Sequence, residues 1–239
     1  MTKSKTPIWR SIQSSLTREI ADGILVSGDK LPTEAELAIR FGVNRHTVRH
    51  ALGAMAEDGL VHARRGAGVF VTGKPTDYPI GKRVRFHQNI RAAGQMPAKT
   101  RLQLATRRPS PREAKALQIE PDDQVHCYEG LSLADAVPIA IFRSIFPAER
   151  FPDLLEALDE LDAVTAALKK CGLDDYTRIS TRLTARLADA TQAGHLRISQ
   201  GAPILRSEGV NADSDGVPVE YGTTWFSGDR VTLTLRDDA

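Results

Sequence analysis

The sequence has little of what secreted or membrane-spanning proteins use. It contains only two cysteines among 239 residues. Cys127 and Cys171 lie far apart, so no disulfide framework is expected, and both are predicted to be small buried or half-buried side chains in a reduced, cytoplasmic protein. No apolar run approaches the ~18 residues that a membrane-spanning helix needs. The first five residues lack the apolar stretch of a signal peptide, so we expect no targeting segment.

Motifs typical of catalysis are also missing from the sequence. His87, His126 and His195 show no metal-ligand spacing with one another or with the cysteines. There is no Gly-x-Ser-x-Gly, Walker or dinucleotide-binding glycine motif. The acidic pairs at 122–123 and 174–175 fall at predicted turns, where caps or solvated charge are the simpler interpretation. We therefore expect no metal, no cofactor and no enzymatic activity.

Charge of either sign is nearly balanced in the whole chain but not along it. The formal net charge is only +2. Residues 1–74 hold 11 Lys and Arg against 7 Asp and Glu, whereas the remainder holds 21 against 23. A basic first part favours a polyanionic partner at that end of the protein. Two prolines and a glycine at 75–81 predict a linker, so we expect domains at 1–74 and 85–239 with a linker at 75–84.

Residues 1–74 show the pattern of three helices followed by a β-hairpin. Thr33 and Glu36 form a capping-box pattern at the start of a second helix, and Gly42 is suited to end it. Asn44 is a good N-cap for a third helix. Short apolar runs at 60–63 and 69–71 flank a glycine-containing turn and predict a hairpin. A first amphipathic helix is predicted by isoleucine and leucine residues at positions 8, 12, 16 and 20.

The third helix places positive side chains on one face. Val48, Leu52 and Met55 recur at helical spacing and should point to the core, so Arg45 and Arg49 should point outward. This order of elements predicts a winged helix-turn-helix that binds double-stranded operator DNA. The predicted DNA-binding residues lie on the second and third helices and in the hairpin: Thr33, Glu34, Asn44, Arg45, His46, Thr47, Arg49, Arg64, Arg65, Gly66 and Gly68.

The same residues resemble the GntR family of bacterial transcription regulators. The resemblance is carried by LPTEAELA at 31–38, FGVNRHTVRHAL at 41–52, GL at 59–60 and GAGVFV at 66–71. It covers about the first 74 residues and is highly specific. One departure is Ala35, because several family members carry an arginine there that touches DNA. The resemblance implies a DNA-binding regulator that acts as a homodimer, as two recognition helices related by a dyad multiply specificity.

The second domain is predicted to be mixed, with strands paired by hairpins and interrupted by helices. This pattern favours an α+β fold in which helices cover one side of an antiparallel sheet. Strands are predicted at 100–108, 125–133, 138–146, 177–188, 203–211, 217–226 and 231–235, and helices near 110–117, 153–161, 162–170 and after Asp189.

This domain resembles the effector-binding (UTRA) domain of the HutC subfamily of GntR regulators, whose fold is similar to that of chorismate lyase. The carriers are GQMP at 94–97, ADAVP at 134–138, FP at 151–152, GAPIL at 201–205, DGVPVE at 215–220 and GDR at 228–230. Two further segments, RFHQN at 85–89 and DYTRISTRLTAR at 175–186, look like regulators of phosphonate metabolism. The resemblance implies a repressor of genes for phosphonate uptake and carbon–phosphorus bond cleavage.

A site for a small anionic effector, a phosphonate or phosphate ester, is predicted from the same two segments. Three arginines recur at every fourth position of a predicted strand, Arg178, Arg182 and Arg186. Because side chains on one face of a strand repeat every two residues, the three should share one face, with successive members ~13 Å apart. Asn89 should cap a helix whose amide groups favour a phosphate group. A solvated basic strand face with ordinary ion pairs is the alternative. The predicted effector site comprises Arg85, His87, Gln88, Asn89, Arg178, Arg182 and Glu220.

Two alternatives to a phosphonate regulator stay open. A HutC-type repressor that responds to a sugar phosphate or an amino-acid catabolite is the first. It is disfavoured for sugar phosphates because the paired arginines and the serine of those sensors correspond to Gly130, Ser132 and Ala163 here. The second and less favoured alternative is a lyase-like enzyme joined to a DNA-binding domain.

Overall fold

The computed structural model describes residues 7–26, 28–64, 66–72, 75–83, 85–161 and 163–235, without the side chain of Arg64. The chain forms two compact units, Met1–Lys74 and Pro75–Ala239, called here the N-terminal and C-terminal units. Among the described residues, no helix is both long and apolar enough to cross a membrane.

The N-terminal unit contains the predicted three helices and hairpin. Ile12, Leu37, Val48 and Met55 are fully buried in one apolar core shared by the three helices. The two strands are antiparallel, with Val61 opposite Val71. The elements are α1 (Ile8–Ala21), α2 (Glu34–Phe41), α3 (Arg45–Glu57), β1 (Val61–Arg64) and β2 (Gly68–Val71).

Local capping interactions fix the ends of α2 and α3 where the sequence predicts them. The Thr33 side chain accepts a hydrogen bond from Glu36 N, and the Glu36 carboxylate accepts one from Thr33 N at 2.7 Å. Gly42 ends α2 in the left-handed region with a φ of 63°. Asn44 Oδ1 then accepts a hydrogen bond from Thr47 N at 2.8 Å, which starts α3. These bonds satisfy backbone groups that a helix end otherwise leaves unpaired.

The C-terminal unit is built on a six-stranded antiparallel sheet in the order β4-β5-β6-β9-β8-β7. Its strands are β4 (Pro97–Arg107), β5 (Val125–Ala134), β6 (Val137–Pro147), β7 (Thr177–Leu187), β8 (Pro203–Ala212) and β9 (Pro218–Ser227). A separate parallel pair joins β3 (Thr76–Pro79) to β10 (Val231–Thr234). The helices are α4 (Phe86–Ala92), α5 (Pro111–Leu117), α6 (Leu154–Leu161), α7 (Val164–Lys170) and α8 (Ala190–Leu196).

Both faces of this sheet are covered, so the prediction of helices on one side is wrong. Face A, which includes Tyr128 and Phe142, packs against α6, α7, α4 and the β3–β10 pair. Face B, which includes Cys127 and Ile145, packs against α5, and further along against α8. The physical reason is that β5 and β6 carry apolar side chains on both faces. Helices must cover both faces to remove these side chains from water, and the two strands are buried along almost their whole length. Cys127 is buried and Cys171 half-buried, as predicted.

The segment predicted as a linker contains a strand. Thr76–Pro79 forms β3, which pairs in parallel with β10. The Tyr78 ring is buried against Phe226, with the ring centroids 5.2 Å apart. Proline and glycine density suggested irregular chain, but pairing with a strand some 150 residues away in the sequence outweighs that local preference.

A β-bulge in β7 separates Arg178 from Arg182 and Arg186, although the three arginines were predicted to share a face. Arg178 lies opposite Asn211, but Ser180 lies opposite Val210, so Ile179 is inserted between them. The insertion reverses the alternation of side chains beyond it. Arg178 therefore lies on face A with Asn211. Arg182 is the register partner of Glu208 and lies on face B.

The predicted capping role of Asn89 is also wrong. The short helix α4 begins at Phe86 after Arg85, whose side chain makes no capping hydrogen bond. Asn89 lies inside this helix, and its side-chain amide donates to the carbonyl oxygen of Pro79 at 3.1 Å. The helix starts earlier than predicted because its buried residue, Ile90, and half-buried Phe86 pack together in one cluster.

Candidate DNA interface and effector site

The outward face of α3 carries the positive side chains that the sequence predicts. Arg45 and His46 are exposed at the beginning of the helix, next to the Asn44 cap. Thr47 is half-buried, and its hydroxyl and amide both donate to Asn44 Oδ1, at 2.9 and 2.8 Å. Arg49 follows one turn later and is exposed. A helix that presents these side chains at its N-terminal end has the arrangement that enters a major groove in helix-turn-helix proteins.

Arg49 is held by a carboxylate from the neighbouring helix. Glu34, the first residue of α2, accepts hydrogen bonds from Arg49 Nε at 3.0 Å and from Arg49 Nη2 at 2.7 Å. The hydrogen bond from Arg49 lowers the pKa of Glu34, and the nearby charges of Arg45 and His46 act in the same direction. Glu34 therefore lies among the outward side chains of α3. Thr33 is exposed beside it as the cap of α2.

The turn between β1 and β2 has the tight geometry predicted for a wing. Gly66 and Gly68 have φ values of 74° and 116°, in the region that favours glycine. A Cβ on Gly68 would lie 2.8 Å from Lys30 Cε, so a larger residue would also crowd that side chain. Arg65 and the side chain of Arg64 lie outside the described residues, and their proposed DNA contacts remain a prediction.

A row of polar side chains crosses three adjacent strands on face A. Arg178 of β7, Asn211 of β8 and Glu220 of β9 are register partners. Arg178 Nε donates to Asn211 Oδ1 at 2.7 Å, and Asn211 Nδ2 donates to Glu220 Oε2 at 2.6 Å. Asn211 and Glu220 are both buried. We call these three residues the polar row.

Two buried tyrosines and a threonine complete this polar region. Burial, with a further contribution from the charge of Glu220, raises the pKa of Tyr176 to about 12. The Tyr176 hydroxyl bonds to Thr165 Oγ1 at 2.9 Å. Burial also raises the pKa of Tyr78, while the charge of Arg178 opposes that effect. Both phenols therefore stay protonated at neutral pH and provide neutral hydroxyl groups close to the polar row.

Sequence reasoning found two members of this region and missed the others. Arg178 and Glu220 were predicted. Asn211, Tyr176 and Tyr78 were not, because a neutral strand residue and two tyrosines carry no motif by themselves. The hairpin register of β7 and β8 is the signal that would have placed Asn211 beside Arg178.

The remaining predicted effector residues lie at the start of α4, within α4 and on face B of β7. Arg85 stacks over the Tyr176 ring at 3.9 Å and donates to Asp175 and to the Tyr176 carbonyl. Asn89 donates to the Pro79 carbonyl oxygen and lies close enough to Tyr78 to lower the pKa of that phenol slightly. His87 is half-buried and Gln88 exposed on α4. Arg182 is exposed and faces away from the row on face B.

A further cation lies on face A. Lys99 of β4 is the register partner of Ser132. Its ammonium group is 4.4 Å from the ring centroid of Phe142 and 5.3 Å from that of Tyr128. Positive charge is therefore present on this face at both edge strands of the sheet, from Lys99 at one and Arg178 at the other.

A winged helix with exposed arginines, together with a separate unit that contains a buried polar region, defines a DNA-binding regulator that carries its own ligand-binding unit. A family model described as "Bacterial regulatory proteins, gntR family" matches residues 9–71, and the UTRA domain model matches residues 92–232. The chain belongs to the GntR family of bacterial transcriptional regulators and carries a UTRA domain in its C-terminal unit.

Relatives cover nearly the whole chain. An uncharacterised HTH-type transcriptional regulator of Rhizobium meliloti, RB1450, is 39% identical over 229 residues, which span 95% of this chain and 94% of the relative. The probable transcriptional regulator PhnF of Escherichia coli is 32% identical over 209 residues, 87% of this chain and 86% of the relative. The crystal structure of PhnF from Mycobacterium smegmatis has a TM-score of 0.67 at 28% identity and covers 95% of this chain and 99% of its own.

Proposed function

We propose that this transcriptional regulator is an effector-responsive homodimeric repressor of genes for phosphonate uptake and degradation. The effector is a small phosphonate, and it binds on face A at the polar row. The observation that carries this proposal is the hydrogen-bonded series from Arg178 through Asn211 to the buried carboxylate of Glu220. Similarity to two proteins named PhnF supports the same assignment.

The polar row suits a ligand that is anionic at one end and polar or cationic at the other. A guanidinium is the side chain that most readily forms paired hydrogen bonds with phosphonate oxygens. Glu220, buried nearby, can accept a hydrogen bond from an amino group such as that of aminoethylphosphonate. Tyr176 and Tyr78 add neutral hydroxyl groups, and Lys99 adds a second positive charge at the opposite edge strand of face A.

Gly130 argues against a sugar phosphate bound in the manner of the related sensors. Gly130 lies on face A. It stands at one of the two positions where the sugar-phosphate sensors usually carry an arginine. A Cβ there would lie 2.6 Å from the Thr100 carbonyl oxygen and 2.9 Å from the Phe142 ring. Phe142 occupies the space that a long side chain at 130 would need, so this chain supplies its positive charge from other positions.

Calorimetry of the full chain tests the effector class. The ligands are methyl-, ethyl- and aminoethylphosphonate, inorganic phosphate and glucosamine phosphate. Operator binding is then measured in the presence of each ligand at a saturating concentration. Phosphonates should bind and reduce operator affinity. Arg178→Ala should weaken phosphonate binding about 10- to 150-fold, because a hydrogen bond to a charged group contributes about 1.5–3 kcal/mol.

Arg182→Ala is the matched control. It removes the same charge from the same strand, but on face B, so it should leave phosphonate affinity unchanged. Binding of glucosamine phosphate alone would assign the chain to the sugar-phosphate alternative. Equal phosphonate affinity of wild type and Arg178→Ala would contradict the assignment of the polar row. Consumption of a phosphonate would instead identify an enzyme.

A further inference from the structure

The Arg49–Glu34 pair leaves a defined part of the Arg49 guanidinium pointing away from the carboxylate. Glu34 binds the side of the guanidinium formed by Nε and Nη2. A guanidinium is planar and has five N–H donors, so the edge formed by Nη1 and Nη2 faces away from Glu34, and we call it the outward edge. The Arg49 side chain is 65% exposed and that of Glu34 33%. The outward edge is therefore accessible while the pair stays intact.

We infer that Arg49 contacts a guanine of the operator through this Nη1–Nη2 edge, and that Glu34 is the positioning residue that makes the contact specific. Two parallel N–H groups match the O6 and N7 acceptors of guanine in the major groove. The inference rests on operator binding by α3 and is independent of which effector the C-terminal unit binds.

The carboxylate favours a base contact over a phosphate contact. Glu34 offsets the charge of Arg49 and would itself repel a nearby phosphate, whereas guanine O6 and N7 are neutral acceptors. The pair also fixes the side chain before DNA binds, which reduces the rotamer entropy lost on binding. Glu34 is well placed for this role, because the capping box at Thr33 and Glu36 fixes the first turn of α2 and the helix N-terminus favours a carboxylate.

The test compares specificity with non-specific affinity. Wild type selects its operator from random duplex DNA. Each G·C pair of that operator is then replaced in turn by A·T, and guanines that matter are also replaced by 7-deazaguanine, which lacks the N7 acceptor. Binding of wild type, Glu34→Gln and Arg49→Lys is measured on all duplexes and on random DNA at one fixed salt concentration.

The Glu19–Arg40 pair provides a matched control. Arg40 also forms two hydrogen bonds to one carboxylate, Glu19, and this pair joins α2 to α1 in the same unit. Glu19→Gln removes the same charge without touching α3. Thermal unfolding of each variant confirms that the fold is retained.

One G·C pair should cost wild type about 5- to 150-fold in affinity when replaced, as a bidentate arginine–guanine contact does. In Glu34→Gln and in Arg49→Lys the cost at that pair should fall to less than about threefold, since the paired contact is lost or no longer fixed. Binding of Glu34→Gln to random DNA should be equal to wild type or stronger. Glu19→Gln should keep the wild-type profile.

Two results would overturn the inference. If Glu34→Gln binds operator and random DNA more tightly by the same factor with an unchanged profile, Glu34 only competes with a phosphate for Arg49. If the profile is unchanged in Arg49→Lys, Arg49 makes no bidentate base contact. Both results concern the DNA interface alone and leave the phosphonate assignment to its own calorimetric test.

Discussion

The absence of a side chain at Gly209 determines where Arg178 can lie. A Cβ on Gly209 would be 2.1 Å from Arg178 Nη1 and 2.8 Å from the Ser180 carbonyl oxygen. We expect Gly209→Ala to displace the guanidinium from the polar row and to weaken phosphonate binding by more than about tenfold, because a charge-assisted contact is lost. Calorimetry with methylphosphonate measures the change.

Gly222→Ala is the corresponding control on the same face. Its Cβ would meet only Glu220 Oε1, at 3.7 Å, which is an ordinary contact. This variant should bind methylphosphonate as wild type does. Thermal unfolding shows whether Gly209→Ala retains its fold, and a folded Gly209→Ala with wild-type affinity would mean that Arg178 does not bind the ligand where it lies now.

The polar row shows how far single residues can be placed from the sequence. Glu220 follows a predictable turn, so its strand was correctly predicted. Arg178 and Arg182 have the spacing of residues that share a face, yet one bulged residue, Ile179, places them on opposite faces. A bulge depends on contacts with distant parts of the chain, and alternation alone does not reveal it. Here the Arg178 backbone amide beside the bulge donates to Lys82 O, outside the sheet, at 2.8 Å.

The helix α5 is anchored to β4 by an ion pair that should make its stability depend on pH. Burial alone raises the pKa of Glu113, but hydrogen bonds from Arg107 and Ser110 more than offset this and hold the pKa at about 2. Because this lies below the ordinary value of 4.5, the ionised carboxylate stabilises the fold above pH 4.5. That contribution is lost as the pH falls from there to about 2.

Glu113→Gln should therefore lower the free energy of unfolding by about 3 kcal/mol at pH 7, since each pKa unit corresponds to about 1.4 kcal/mol. At pH 3 the difference from wild type should be less than half as large. Urea unfolding at the two pH values measures it, with exposed Glu120→Gln as the control. A difference that is the same at both pH values would exclude the ionised pair as its cause.

The wing should add non-specific affinity to the interface formed by α3. Arg64 and Arg65 precede the Gly66–Gly68 turn, which is small enough to lie against a groove. Replacing both arginines with alanine should reduce the salt dependence of operator binding by up to about 1.8 in slope, at ~0.9 for each phosphate contact. A salt titration measures the slope. The same loss of charge from Arg101 and Arg108 in the C-terminal unit is the control, and an unchanged slope in the wing variant would show a solvated hairpin.

Elements with local causes were predictable, and elements with distant partners were not. The first residues of α2, α3 and α8 are set by N-terminal caps. The capping side chains belong to Thr33, Asn44 and Asp189. The strand β3 has no such local signal. It forms because β10 pairs with it from the far end of the chain, and because Tyr78 fills a space beside Phe226.

Residues at the beginning of the C-terminal unit form hydrogen bonds with residues of the proposed effector site. Lys82 O accepts the Arg178 backbone amide at 2.8 Å, and Pro79 O accepts the Asn89 side chain at 3.1 Å. Tyr78, in the same segment, lies near enough to Arg178 and Glu220 for their charges to affect its pKa. A ligand that moves Arg178 or Asn89 therefore acts on residues 75–83, which follow the DNA-binding unit in the chain. A ligand can change operator affinity only as far as it favours one arrangement over another.

Three residues, Gly-Ser-Gly, inserted after Lys74 should weaken this coupling. The inserted chain allows residues 75–83 to move without displacing the N-terminal unit. Methylphosphonate affinity should stay at the wild-type value, whereas the release of operator by saturating methylphosphonate should fall from about 5- to 150-fold to less than about threefold. Operator binding with and without ligand measures the coupling.

The same insertion after Ser214, in the exposed turn between β8 and β9, is the control and should leave the release intact. Full release in the variant lengthened after Lys74 would show that coupling does not pass through residues 75–83, whereas the lack of any release in wild type would contradict the proposed effector.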